Sequence, residues 1–223
     1  MAENKPWRVF LDVEGIAFDP LPAITTAVRR AAVRVGAPIS LHRDLSWVTE
    51  VWPETMLSTL LGDDSDRHRM FLQHLQHYYC DQTWRVLPAC AGIGAALRDL
   101  RTQTGAELML VSAHDMDTAW RQVVEQGLDD LFDGAVCPQN GCCSQCRQRI
   151  LADATQRSLA THRVAWLTDM PPELMYARLL GVTGIAAAWG RVPVDVLQQG
   201  QPAMTAYHPD ELVAALNDPL SLA

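Results

Sequence analysis

The chain has 223 residues, 48% hydrophobic and 20% charged, a profile that excludes disordered, collagenous and coiled-coil classes. At roughly 150 residues per domain, this length suits one domain, or one domain carrying a sizeable insertion. Twenty-six acids against 18 bases give a net charge of −8, which sets nucleic acid aside as the main partner. Seventeen of the bases are arginines and Lys5 is the single lysine. Chemistry that needs a lysine in the body of the fold, such as a Schiff base or a P-loop lysine, is therefore excluded. No uncharged apolar run reaches the 18 or so residues of a membrane span. Met1–Lys5 lacks the basic start and apolar stretch of a signal peptide, so a cytoplasmic protein is expected.

The first predicted strand is Trp7–Asp12, an apolar run ending in an acid. Asp19-Pro20 then opens a helix with apolar positions at Leu21, Ile24, Val28, Ala31 and Val35, stopped by Gly36. Residues 45–61 read as helix up to Gly62, and Ser65 or Asp66 caps another through Phe71, Leu75 and Tyr79. The stretch from 20 to about 105 is a run of helices. Alternation follows: a strand at 107–112, a helix from 116 to Gly127, a short strand at 134–137 and a helix at 147–160. A strand at 163–168, a helix at 172–180, a strand at 184–188 and a last helix from Pro209 complete the chain. Alternating strands and helices predict an α/β fold with a doubly wound parallel sheet. A helical insertion follows its first strand.

Ligands of such sheets bind beyond the carboxyl ends of the strands. Three strands end there in Asp12, Ser112 and Asp169, with Glu14 two residues after Asp12 and Glu173 four after Asp169. Acids at strand ends also cap helices, which explains one such residue more easily than three. Converging carboxylates repel each other and favour a bound cation, and an all-oxygen ligand set points to Mg²⁺.

These motifs, Val9-Phe-Leu-Asp12-Val-Glu14-Gly15-Ile-Ala-Phe-Asp19, Leu108-Met-Leu-Val-Ser112 and Leu167-Thr168-Asp169-Met-Pro-Pro-Glu173, resemble the haloacid dehalogenase superfamily of phosphohydrolases. Pro88-x-x-x-Gly92, Gly127-Leu-Asp-Asp-Leu-Phe-Asp133, Trp189-Gly190 and Pro209-Asp-Glu-Leu212 are similar to its phosphoglycolate-phosphatase-like branch. The resemblance implies a Rossmann-like core at 1–19 and 89–223 and an inserted helical cap at 20–88. It implies a phosphoric monoester hydrolase acting on a small phosphorylated metabolite. Asp12 would be the nucleophile, through an aspartyl-phosphate. Glu14, where most members carry Asp, would be the general acid and base. Ser112 and Ala113 would meet a phosphoryl oxygen. Asp12, the carbonyl of Glu14, Asp169 and Glu173 would serve Mg²⁺. The family's basic residue before its last motif is usually a lysine. Here Arg147 is the nearest candidate and Arg149 the next.

Cys137, Cys142, Cys143 and Cys146 fall within ten residues. Four thiols around a turn suit a structural Zn²⁺ site; redox thiols and a loop with no special role are the alternatives. A metal there would pin the loop that presents Arg147. Cys80 and Cys90 are isolated and expected in the core. The cap carries polar groups suited to a substrate, and Trp52-Pro53-Glu54 interrupts its helix pattern, making Trp52 a candidate contact. Arg67-His68-Arg69 reads as a solvated face. His114 and Asp115 lie close enough to Ser112 to touch substrate, although Asp115 more simply caps the helix that follows. The competing class is a non-catalytic, regulatory protein on the same fold, favoured by Glu14, the missing lysine and the cysteine run. Phosphonate hydrolysis lacks its cap lysine, and dehalogenases need neither Glu14 nor the metal acids.

Overall fold

The computed structural model describes residues 5–49, 53–80, 87–138 and 144–217, of which 49, 53, 80 and 144–147 are described by their backbone alone. The chain divides into two compact units, Met1–Asp19 with Pro88–Ala223, and Pro20–Leu87.

The first unit is built on β1 (Trp7–Asp12), β2 (Glu107–Val111), β3 (Gly134–Val136), β4 (Arg163–Thr168), β5 (Thr183–Ala187) and β6 (Met204–Ala206). All five pairings are parallel, in the order β3-β2-β1-β4-β5-β6. A parallel sheet is covered on both faces, so its strands are apolar almost throughout rather than alternating. Accordingly, every residue of β1 except Arg8 is buried. Phe10 lies level with Met109 on one side and Trp166 on the other, and Leu11 with Leu110 and Leu167. Arg8 faces Glu107 and Ser158, donating to Glu107 Oε2 and, at 2.9 Å, to Ser158 Oγ. The strand order reverses between β1 and β4. In a doubly wound sheet this switch point opens a crevice at the carboxyl ends of the strands, and Asp12 and Asp169 stand there.

The other unit holds α1 (Leu21–Arg34), α2 (Pro53–Leu61) and α3 (Ser65–Cys80). Its apolar core runs from Ala27, Val28, Ala31 and Ala32 of α1 to Met56, Leu57, Phe71 and Tyr78. Arg34 donates to the Tyr78 hydroxyl at 2.6 Å, and the Arg30 guanidinium lies 4.1 Å over the same ring.

The remaining helices, α4 (Ile93–Thr104), α5 (Met116–Glu125), α6 (Ser144–Leu159), α7 (Pro171–Leu179), α8 (Val194–Gln199) and α9 (Leu212–Asn217), belong to the sheet-bearing unit. Among the described residues, no helix is long and apolar enough to cross a membrane.

Four local expectations are corrected. The continuous helix over 45–61 is instead a 3₁₀ turn, Ser46–Thr49, followed by α2, which Pro53 opens rather than interrupts. Proline suits a first helical turn, where its missing N–H has no partner to lose. Asp64, not Ser65 or Asp66, supplies the cap of α3, its Oδ1 accepting from Arg67 N at 3.0 Å. Arg67 is no solvated bystander: it donates to Val35 O at 2.9 Å and Gly36 O at 3.1 Å, satisfying carbonyls just beyond α1. The helix expected from Pro209 begins as a 3₁₀ turn, Pro209–Glu211, before α9.

Candidate active site

β1 ends at Asp12, and the chain then folds back tightly. Ala17 N and Phe18 N donate to Val13 O at 3.0 and 2.9 Å, and Gly15 N to Phe18 O at 2.8 Å. Gly15 takes φ +96°, a conformation open to glycine at little cost. Space requires glycine there as well, because a Cβ would stand 2.4 Å from Asp169 Oδ2. The Asp169 carboxylate is thus packed against the turn after β1. Gly190, after β5, closes on it from another side: a Cβ there would lie 2.7 Å from Oδ2 and 2.9 Å from Asp169 Cβ. Two glycines form a cradle that holds one carboxylate.

Glu14 points toward the end of β2. The Ser112 hydroxyl donates to Glu14 Oε1 at 2.6 Å, and Ala113 N to Oε2 at 3.3 Å. His114 N donates to Ser112 Oγ at 3.0 Å, which orients the hydroxyl toward the acid. The His114 ring is buried, with Nε2 3.9 Å from Glu14 Oε1. Asp12, Ser112, Asp169 and Glu173 are all buried polar residues. Thr168 donates to Glu173 Oε2 at 2.8 Å and accepts from Met170 N at 3.1 Å, fixing Glu173 in the first turn of α7.

Asp115 is the cap of α5. Its Oδ1 accepts from Thr118 N and its Oδ2 from Thr118 Oγ1, both at 3.0 Å. Burial pushes its carboxyl up, but the two Thr118 bonds, its own backbone N–H and nearby His114 together outweigh that and hold it below the ordinary aspartate value. A depressed native value stabilises the fold above the unfolded aspartate pKa, near 3.9, and that contribution is lost as pH falls through the lower native value. Asp115→Ala is expected to cost about 1 kcal/mol. Thermal melts should show a drop of about 2–4 °C at neutral pH, shrinking as pH falls through the lowered native value.

The surroundings are electronegative. Burial, then the charges of Asp19 and Asp169, push the Cys90 thiol up to about 11, with Arg191 opposing. Cys90 is half-buried rather than a core residue. Arg191 forks onto Asp19, Nε to Oδ1 at 3.1 Å and a terminal nitrogen to Oδ2. Trp189 Nε1 donates to Ile16 O at 3.1 Å, joining the loop after β5 to the turn after β1.

Of the residues selected from sequence, Glu14 meets Ser112 and Ala113, Asp169 meets the Asp12 turn through Gly15, and Glu173 meets Thr168. Arg149 is exposed on α6, and Cys137 is half-buried after β3. Trp52, Cys142 and Cys143 lie outside the described residues, as do the side chains of Cys146 and Arg147. Sequence reasoning missed Thr168, Gly190 as a steric requirement, and the Asp19–Arg191 pair. The pair joins residues 172 positions apart, for which no local pattern exists.

Among the described residues, no group of three or more His, Cys, Asp or Glu side chains converges as a metal site. Magnesium does not require one, since it keeps several waters and binds through one or two carboxylates. Asp12 and Asp169, buried at adjacent strand ends with a backbone turn between them, fit that modest demand.

This six-stranded parallel sheet, with a helical unit inserted after β1, has the fold of solved haloacid dehalogenase-like proteins. A hydrolase of that family from Streptococcus pneumoniae superposes with a TM-score of 0.74 at 20% identity, covering 94% of this chain and 98% of its own. A predicted phosphoglycolate phosphatase from Haemophilus somnus does so at 0.66 and 13% identity, covering 94% and 97%. The tyrosine-protein kinase PtkA of Mycobacterium tuberculosis is 23% identical over 218 residues, which is 96% of this chain and 73% of that protein. No family model matches the chain.

Proposed function

We propose that the protein is a Mg²⁺-dependent phosphatase acting on a small phosphorylated metabolite. The observation that carries this reading is the set at the switch point: buried Asp12 ending β1, buried Asp169 beyond β4, and half-buried Glu14 bonded to Ser112 across the β1–β2 edge. Asp12 attacks phosphorus, forming an O–P bond while the bond to the leaving oxygen breaks. The carboxylic acid of Glu14 gives its proton to that oxygen. Glu14, now a carboxylate, takes a proton from water, whose oxygen attacks phosphorus and releases Asp12 and inorganic phosphate. Asp12, Asp169 and the carbonyl of Glu14 would hold the cation, with Glu173, bonded to Thr168 in the first turn of α7, supporting the metal. When bound, the metal neutralises charge on the phosphoryl oxygens. The decisive assay is hydrolysis of an aryl phosphate and of a phosphometabolite panel, wild type against Asp12→Asn, with Mg²⁺ and with chelator.

Phosphoryl neutralisation by a protein base falls to Arg147, just inside α6. Arg147→Ala should lower kcat/KM by about 10²-fold or more, the usual scale for losing a transition-state donor. Arg149→Ala, an exposed position, should stay within about twofold, on the footing that surface substitutions rarely exceed ±0.5 kcal/mol. The reverse ranking moves the role to Arg149. Structural zinc on the cysteine run is tested by metal analysis of purified protein: about one zinc per chain is expected of a closed tetrathiolate site, and folded, zinc-free protein ends that idea.

A second reading, transfer to a tyrosine hydroxyl instead of water, is favoured by the name of the mycobacterial relative. It needs a phosphoryl donor such as ATP. Lys5, the single lysine, donates to Leu159 O at 2.8 Å and leaves the chain without a P-loop or kinase-type lysine. Labelled γ-phosphate appearing on protein tyrosine, dependent on Asp12, would favour it over hydrolysis.

A further inference from the structure

We propose that His114 is a phosphoryl-binding residue, and that the Glu14 carboxylate sits where a substrate phosphoryl group binds. The inference rests on the phosphatase reading and deepens it. Three consecutive residues after β2 converge on Glu14: Ser112 Oγ at 2.6 Å, Ala113 N at 3.3 Å and His114 Nε2 at 3.9 Å. A carboxylate presents two acceptor oxygens on one centre, as an edge of a phosphoryl group does. Donors arranged for the first therefore suit the second.

His114 is no solvated helix-face histidine. It is buried, it precedes the Asp115 cap, and its N–H orients the Ser112 hydroxyl at 3.0 Å. At 3.9 Å its ring is beyond hydrogen-bond reach of the Glu14 oxygen. A phosphoryl group is larger and carries a third oxygen, which brings an acceptor closer to Nε2. Lys5 is committed to Leu159 O and Arg191 faces Asp19, so among these basic residues neither adds to Arg147 at the Glu14 end of the site. His114 is the basic side chain that lies against Glu14.

Two consequences follow for binding. Glu14 competes with the phosphoryl group for Ser112 and Ala113, so it swings out as substrate enters. That motion carries its carboxyl toward the leaving oxygen. Removing the carboxylate should therefore strengthen anion binding while it destroys turnover, and removing the imidazole should weaken anion binding.

The test is orthophosphate affinity by titration calorimetry at fixed pH with Mg²⁺, on the full chain as wild type, Glu14→Ala, His114→Ala, His114→Gln and the double variant Glu14→Ala/His114→Gln. Glu14→Ala should bind phosphate about tenfold more tightly, and each His114 change should weaken binding by about tenfold, the scale of one hydrogen bond to a charged group. The double variant should lose what Glu14→Ala gained. His114→Gln removes the imidazole while keeping most of the side-chain volume, so it serves if the alanine variant fails to fold. Folded His114 variants with wild-type phosphate affinity overturn the assignment of His114. Glu14→Ala with unimproved affinity overturns the stand-in role of Glu14. If Asp12-dependent hydrolysis persists in either case, only this inference falls. If neither wild type nor Glu14→Ala binds phosphate, and no Asp12-dependent hydrolysis is seen, the phosphatase reading falls with it.

Discussion

Asp12→Asn is expected to lower kcat on an aryl phosphate by on the order of 10⁴- to 10⁶-fold, the range seen when a covalent nucleophile or its partner is removed. The amide keeps the shape and burial of the carboxylate but cannot form the aspartyl-phosphate. Stability should move the other way, if it moves at all. Asp12 is buried at the edge that also holds Glu14, Asp169 and Glu173, and neutralising one member of a like-charged group relieves repulsion. The expected result is a melting temperature equal to or above wild type together with lost turnover. Loss of both would point to a structural aspartate. Turnover above about a tenth of wild type would remove Asp12 from the chemistry and, with it, the covalent mechanism, because a nucleophile acts as part of an interdependent unit.

The positions of these acids were legible in the sequence because burial on both faces leaves a parallel strand nearly no freedom in composition. Val9–Leu11 and Val164–Leu167 are apolar runs that end abruptly in polar residues, so strand, strand end and candidate site are read together. The helix stop at Gly36 was equally plain, since its φ of +69° suits glycine best. Other features depend on distance rather than on local pattern. β6 has three residues, Met204–Ala206, and forms only as an edge beside β5. α4 lies within the run of helices read from 20 to about 105 without being separated from it, being bounded by Gly92 and Gly105 with no side-chain cap at its start, and α8, six residues long, has no reading from the sequence.

The site shows the same division. Ser112 could be found as the polar end of an apolar strand. The direction of its hydroxyl could not, because that depends on Glu14, 98 residues away. Thr168 looked like one more strand residue, yet it holds Glu173 five positions on. Gly190 looked like half of a Trp-Gly pair from a family pattern. Its physical reason, the volume occupied by Asp169, emerges only when the loop after β5 and the end of β4 are side by side.

That reason makes Gly190→Ala a sharp test of the carboxylate cradle. Gly190 has no left-handed φ, so alanine carries no backbone penalty and any effect is steric. The added Cβ would stand 2.7 Å from Asp169 Oδ2 and 2.9 Å from Asp169 Cβ. The second contact matters more: rotating the carboxylate away relieves the oxygen clash but leaves Cβ against Cβ, so the backbone must shift too. Overpacking of this kind costs about 1–3 kcal/mol, a fall of about 2–4 °C in Tm for each kcal/mol in a chain of this size. The effect on catalysis should be larger, because a displacement of about 1 Å at a catalytic group can cost 10²-fold. Gly184→Ala supplies the comparison. It lies in β5, and its Cβ would meet Ala177 Cβ and Leu174 Cδ2 at 3.5 Å, ordinary contact. It should leave turnover unchanged and Tm level or slightly raised, since alanine restricts the unfolded chain. Wild-type Mg²⁺-dependent turnover in Gly190→Ala would show that Asp169 need not occupy its observed place, and the metal role assigned to it would have to move elsewhere on the strand ends.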